Sequence, residues 1–156
     1  MSEHSPGAAD GWRSGHPHER FGSTVSLTPT EVRRFALAAG DTNPIHHDEA
    51  AAGARQFDRL VASGTHTTAL LLGLTAAHFS PRGPMLGLEF WVRFRRPVYA
   101  DEAIRLEWLI VRVRPHARLG GDIVELRGRI VGADGRTALG ARGRVLVKAP
   151  APAALN

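Results

Sequence analysis

The chain contains no cysteine and a single lysine, Lys148, among its 20 basic residues. Without cysteine, disulfide frameworks, thiolate metal sites and a cysteine nucleophile are all excluded. Aromatic residues are scarce at 6%. Long apolar runs are also missing. The longest, over residues 67–79, is interrupted by Thr75 and His78 and is too short for a bilayer, which takes about 20 apolar residues. Residues 1–20 hold Gly, Pro, Ser and scattered His but no apolar segment, so no secretory signal is expected and a cytoplasmic location is. What remains is an ordinary globular composition: 156 residues, 43% hydrophobic and 22% charged. That suits one domain and excludes disordered, collagen-like and coiled-coil chains. The net charge of +5 is carried almost wholly by arginine, whose planar fork binds phosphate or carboxylate. The charge alone does not choose among nucleic acid, an anionic membrane and an acidic small molecule.

Residues 1–17 lack periodicity and are expected to be a flexible tail, with the spaced His4, His16 and the adjoining His18 as solvent-exposed bystanders. So is the Ala/Pro-rich 149–156. One domain is expected over 18–148. Residues 20–27 suit a first strand. Thr28-Pro29-Thr30-Glu31 is a capping box with proline in the first turn, and Val32, Phe35, Ala36 and Ala39 then share a helical face that Gly40 ends. Pro44 pushes Asn43 out of helix, and Asp48 can cap a short helix to Ala54. Ser63 or Gly64 opens a longer helix to Phe79, apolar nearly all round and therefore expected to be buried on most sides. Alternation follows from Leu86 to Phe94, from Ile104 to Ile110 with a parity change at Val111, from Val124 to Ile130, and from Leu139 to Val147. Asp134-Gly135 is a hairpin turn. One strand, then helices, then four strands make an α+β domain with an antiparallel sheet and one core helix.

The chemistry-bearing segment is Gly40-Asp41-Thr42-Asn43-Pro44-Ile45-His46-His47-Asp48. A carboxylate and an imidazole flank an Asn-Pro turn, and a turn can aim both at one water. The carboxylate can accept its proton, the imidazole can pass one on, and Asn43 can orient it. The same spacing also fits a plain loop, in which Asp41 bonds the local backbone. Other readings carry less. His46 and Asp48 with a distal His116 would make a facial metal triad, but a long buried helix fits that chemistry poorly. His47 reads as a surface neighbour, and His66 and His78 as satisfied core or edge histidines. Arg93, Arg95 and Arg96 suit either a solvated strand face or the phosphates of coenzyme A or an acidic carrier protein. No helix-turn-helix or RNA-binding string is present, so nucleic acid is not an expected partner.

The string G-D-x-N-P-x-H-x-D after F-A-x-x-x-G, followed by Arg59-Leu60-Val61-Ala62-Ser63-Gly64 before the apolar helix, resembles the signature of MaoC-like (R)-specific enoyl-CoA hydratases. The resemblance implies a hot-dog fold, a curved antiparallel sheet wrapped around the long helix. It implies a hydro-lyase that reversibly hydrates trans-2-enoyl thioesters, carried by coenzyme A or an acyl carrier protein, to (R)-3-hydroxyacyl thioesters. Asp41 and His46 would activate the water with Asn43 as helper, and the Gly64 N–H would face the thioester carbonyl. Ser63 stands where many relatives have His. It is expected to cap the helix, with Ser63 and Thr65 beside the substrate. No metal or redox cofactor is required, no membrane is expected as partner, and a homodimer or higher homo-oligomer is. The alternatives are a hot-dog thioesterase and a non-catalytic acyl-thioester-binding subunit of a heteromeric dehydratase.

Overall fold

The computed structural model describes residues 11–151; His4 and the last five residues lie outside that range. Five strands form one antiparallel sheet in the order β1-β3-β4-β5-β2. They are β1 (Arg20–Ser26), β2 (Met85–Phe94), β3 (Ala103–His116), β4 (Gly121–Val131) and β5 (Thr137–Val147). Three helices, α1 (Pro29–Ala38), α2 (Glu49–Ala54) and α3 (Gly64–Phe79), lie between β1 and β2 in the chain. This is the hot-dog arrangement, with α3 laid on the sheet.

Short-range chemistry sets the helix ends. Thr28 and Glu31 form the capping box of α1, and Gly40 follows with φ +70°, a conformation that costs glycine little. Asp48 accepts from Ala50 N–H and Ala51 N–H to start α2. Ser63 accepts from His66 N–H to start α3. The inward faces of β3 and β4 place Ile104, Leu106, Trp108, Ile110, Val124, Leu126 and Ile130 in the core with Leu71 of α3. Trp108 Nε1 donates to Leu71 O at 2.8 Å, which fixes the height of the helix over the sheet. Gly128 makes room for that indole, since a Cβ there would come 2.5 Å from the ring. The parity change at Val111 is a register shift between Ile110 and Arg112.

Three expectations need correction. Helix α3 is not buried on most sides: Leu71, Thr75 and Phe79 are buried, while Ala69, Gly73, Ala76 and Ala77 are exposed and Leu70, Leu72 and Leu74 are half-buried. The sheet covers one side of it, and α1 adds only Phe35, which packs on His66 in its first turn. Strand β2 is an edge, and its alternation breaks at a bulge between Gly87 and Glu89, leaving Leu86, Leu88, Trp91 and Phe94 exposed. Residues 11–17 are docked rather than a free tail. Trp12 Nε1 donates to Arg82 O at 2.7 Å, and the buried Ser14 donates to Asp122 Oδ2 at 2.6 Å. Behind them Glu19 accepts from His78 Nε2 at 2.9 Å and from Arg82 at 2.6 Å, and Phe21 stacks on His78 at 3.7 Å. Burial pushes the Glu19 carboxyl up, but hydrogen bonds from Arg82, His16 N–H and His78 outweigh it and hold the carboxyl below its usual range.

Candidate active site

The loop from Asp41 to Asp48 is shaped by its own side chains. Asp41 Oδ1 accepts from Asn43 N–H at 3.0 Å. Asn43 Oδ1 caps a single 3₁₀ turn, Pro44–His46, through Ile45 N–H at 3.5 Å. That turn carries His46 inward, where it is buried, while Asn43 stays exposed. Asn43 is thus engaged as a cap, and the structure does not bring it to the His46 ring as a partner.

His46 Nδ1 lies 2.7 Å from Val61 O. A carbonyl only accepts, so Nδ1 carries the proton and in the neutral ring Nε2 keeps its lone pair. That Nε2 faces Asp41 Oδ2 at 3.4 Å. The ionised carboxylate is also an acceptor, so the neutral ring and the carboxylate have no hydrogen to share. Two acceptors so placed form a seat for a group that donates to both, and a water molecule has the two hydrogens required. Val61 is itself fixed by donating to Ile45 O at 3.1 Å and by a bridge to Tyr99. Tautomer and ring orientation therefore follow from backbone contacts.

His47 is not a surface bystander. Its Nε2 donates to Asp41 O at 2.6 Å, and Arg33 Nε donates to His47 O at 2.9 Å. These two bonds tie the turn to α1. Nothing in the local spacing marks either residue, because Arg33 lies a helix away in the chain.

Beside His46 is a cavity of about 450 Å³ lined by Gly64, Thr67, Val61, Phe94 and Arg95 among others. Gly64 begins α3, and among the described residues no acceptor takes the N–H of Gly64 or Thr65, as expected for a first helical turn. These groups form the positive end of the helix dipole. Phe94 lies over Gly64, where a Cβ would approach the ring to 2.9 Å, and that ring is 57% exposed. Ser63 is fully buried and caps α3, its hydroxyl also 3.1 Å from Thr65 Oγ1. Thr65 is exposed. His66 stacks on Phe35 of α1 at 4.2 Å, and its Nδ1 has no partner. It is therefore not the satisfied core histidine expected, and burial pushes its pKa down, against a small opposing pull from Glu31. His78, by contrast, is satisfied by Glu19. His116 caps the turn Ala117–Leu119. Among the described residues no group of three or more His, Asp or Glu could hold a metal ion, and no helix is long and apolar enough to cross a membrane.

The profile of the MaoC like domain matches residues 15–125. The chain is 34% identical over 76 residues to 3-hydroxyacyl-thioester dehydratase X of Mycobacterium tuberculosis, covering 49% of this chain and 25% of that protein. It is 35% identical over 92 residues to 3-hydroxyacyl-thioester dehydratase Z of the same species, covering 57% of this chain and 61% of the relative. The chain thus spans about a quarter of the first relative's length and less than two thirds of the second's. Among solved structures, an (R)-hydratase from A. caviae involved in PHA biosynthesis superposes with a TM-score of 0.78 at 24% identity, over 86% of this chain and 98% of that one. That likeness shows the fold.

Proposed function

From the premise that this chain belongs to the MaoC-like dehydratase family, we propose that it is a hydro-lyase that adds water to trans-2-enoyl thioesters, or removes it from (R)-3-hydroxyacyl thioesters. The observation that carries this reading is the pair of facing acceptors, His46 Nε2 and Asp41 Oδ2, 3.4 Å apart with the His46 tautomer held by Val61 O. A water seated there donates one hydrogen to each. It loses a proton to the pair as its oxygen bonds to the β-carbon, and the pair returns a proton to the α-carbon, ending as it began. In between, negative charge gathers on the thioester oxygen. The free N–H of Gly64, at the positive end of α3, is suited to receive it. A thioesterase needs the water aimed at the carbonyl carbon instead, and no observation favours that geometry.

The exposed Leu86, Leu88 and Phe94 of edge strand β2 support association of a second subunit along that edge, since long unpaired apolar edges are otherwise aggregation sites. A homodimer is the proposed assembly. The function is tested by supplying 2-enoyl thioesters to the pure protein and following loss of the enoyl absorbance. Turnover with water added at the β-carbon supports the reading. Release of free thiol from saturated acyl thioesters, faster than any hydration, replaces it with the thioesterase. Binding without turnover that becomes turnover on adding a second subunit replaces it with the non-catalytic subunit.

A further inference from the structure

We propose that the outer face of the sheet is a docking surface for an acidic protein that carries the acyl chain on a flexible arm, so that the substrate arrives on a carrier protein. The proposal rests on the thioester reading above. The face turned away from α3 holds a shallow depression of about 950 Å³ lined by eight arginines and one glutamate. It carries more positive charge than the whole chain, whose net charge is +5, so the remainder of the chain is net acidic. The charge is assembled across strands. Arg127 of β4 stands directly opposite Arg142 of β5, and Arg142 opposite Trp91 of β2. In the next rung Arg129, Gly140 and Arg93 are neighbours. Around the margin, carboxylates compensate: Arg129 pairs with Glu107, Arg144 with Glu89 and Arg114 with Glu125. Arg127 and Arg142 have no carboxylate partner among the described residues. Like charges directly opposite on paired strands destabilise a sheet, and an anionic partner relieves that cost. Trp91 is 55% exposed with the Arg142 guanidinium 5.9 Å from its ring centre. Trp and Arg are the residue types that anchor protein interfaces.

Breadth and sign favour a protein over a nucleotide or a nucleic acid. Four neighbouring strands at about 4.8 Å spacing make a face about 15 Å wide, whereas small ligands are held in concave, largely apolar clefts. The carboxylates Glu89, Glu107 and Glu125 at the margin interrupt the track that a line of phosphates would follow, but they suit a protein whose acidic surface includes some basic groups. The face also leads to the candidate site. Arg95 and Arg96 line both the arginine depression and the cavity of His46 and Gly64. A partner seated on the arginines therefore holds its arm at the cavity mouth.

The test compares the wild-type protein with Arg127→Gln and with the double variant Arg127→Gln/Arg142→Gln. Neutralising a like-charge pair should leave the melting temperature unchanged or raised. One 2-enoyl chain is supplied on coenzyme A and on an acidic acyl carrier protein, and kcat/KM is measured across ionic strength. On the carrier protein, kcat/KM should fall about tenfold or more in the double variant, and the steep salt dependence of the wild type should flatten. On coenzyme A the rate should hold. An equal loss on both, a loss confined to coenzyme A, or an unchanged carrier rate overturns the proposal. If neither thioester turns over, the hydration reading fails by itself and calorimetric titration of the carrier protein judges the surface. Binding to wild type that is lost in the double variant sustains it. No carrier binding, or preferential binding of nucleic acid, overturns it.

Discussion

Asp41→Asn reverses the hydrogen-bonding sense of one atom and leaves the rest of the turn in place. Asp41 Oδ1 accepts from Asn43 N–H at 3.0 Å, and the amide oxygen of asparagine preserves that bond. The amide nitrogen then takes the position of Oδ2, 3.4 Å from His46 Nε2. Because Nδ1–H is committed to Val61 O at 2.7 Å, Nε2 presents a lone pair, and the new N–H donates straight to it. Two facing acceptors become a closed donor–acceptor pair with no seat for a doubly donating water. The expected loss in kcat is about 10²–10⁴-fold, or about 2.7–5.5 kcal/mol of transition-state stabilisation, with KM little changed. The melting temperature should hold, since no bond of the turn is lost. His46→Gln should cost a similar factor. The double variant should be hardly slower than the poorer single one, because both groups act on one water. The assay is initial-rate hydration of an enoyl thioester over a full substrate range, with a thermal melt of each variant. A folded Asp41→Asn protein within about threefold of wild-type kcat, a change of well under 1 kcal/mol, refutes the facing-acceptor argument.

Ser63→Ala removes the cap of α3 and should lower stability by about 1 kcal/mol, a fall of about 2–4 °C in Tm for a chain of this size. Turnover per folded molecule should be unchanged, and a fall in turnover at constant Tm would instead place the hydroxyl on the thioester. Gly64→Ala sets a Cβ 2.9 Å from the exposed Phe94 ring, which can swing away, so the protein should fold. The added methyl crowds the N–H offered to the thioester and should slow hydration; full activity in a folded variant would place the carbonyl elsewhere. His66 and His78 are both held below the ordinary histidine value of 6.5, by burial first and, for His78, next by the Arg82 charge. As pH falls below that value the unfolded chain takes up protons before the folded one, so stability should drop until the folded-state pKa values are passed. Urea midpoints measured from about pH 8 to about pH 5 should show this fall, and His66→Phe, which keeps a ring against Phe35, should flatten it. An unchanged slope in that variant would show that His66 is not the group being charged.

The parts of the fold that could be read from the sequence are those decided within a few residues. The Thr28–Glu31 box, the left-handed Gly40, the Asp48 and Ser63 caps and the Asp134-Gly135 turn each need only their neighbours, and the structure has all of them. What escaped depends on who lies alongside. Alternation says that Arg93 points away from the core. It cannot say that Gly140, Arg129, Arg127 and Arg142 assemble beside it, because strand order brings β2 to β5 across about fifty residues of chain. The all-round apolar composition of α3 points to a surrounded helix; in one chain the sheet has only one face to offer it.

The candidate site divides along the same line. Asp41 and His46 stand out because both belong to one turn and their residue types suggest proton transfer. The turn alone does not make them a catalytic pair. A His46 ring with its proton on Nε2 would hydrogen-bond Asp41 directly, and the pair would be a closed donor–acceptor contact with no place for water. The Val61 carbonyl, fifteen residues away, prevents that by claiming Nδ1–H, and Val61 is held in turn by Ile45 and Tyr99. The same logic applies to Asp41, whose backbone carbonyl is held by His47, itself tied to Arg33. A chain with the same Asp and His but without these backbone anchors would keep the motif and lose the water seat. The proposed reactivity of this turn therefore depends on contacts that lie outside it.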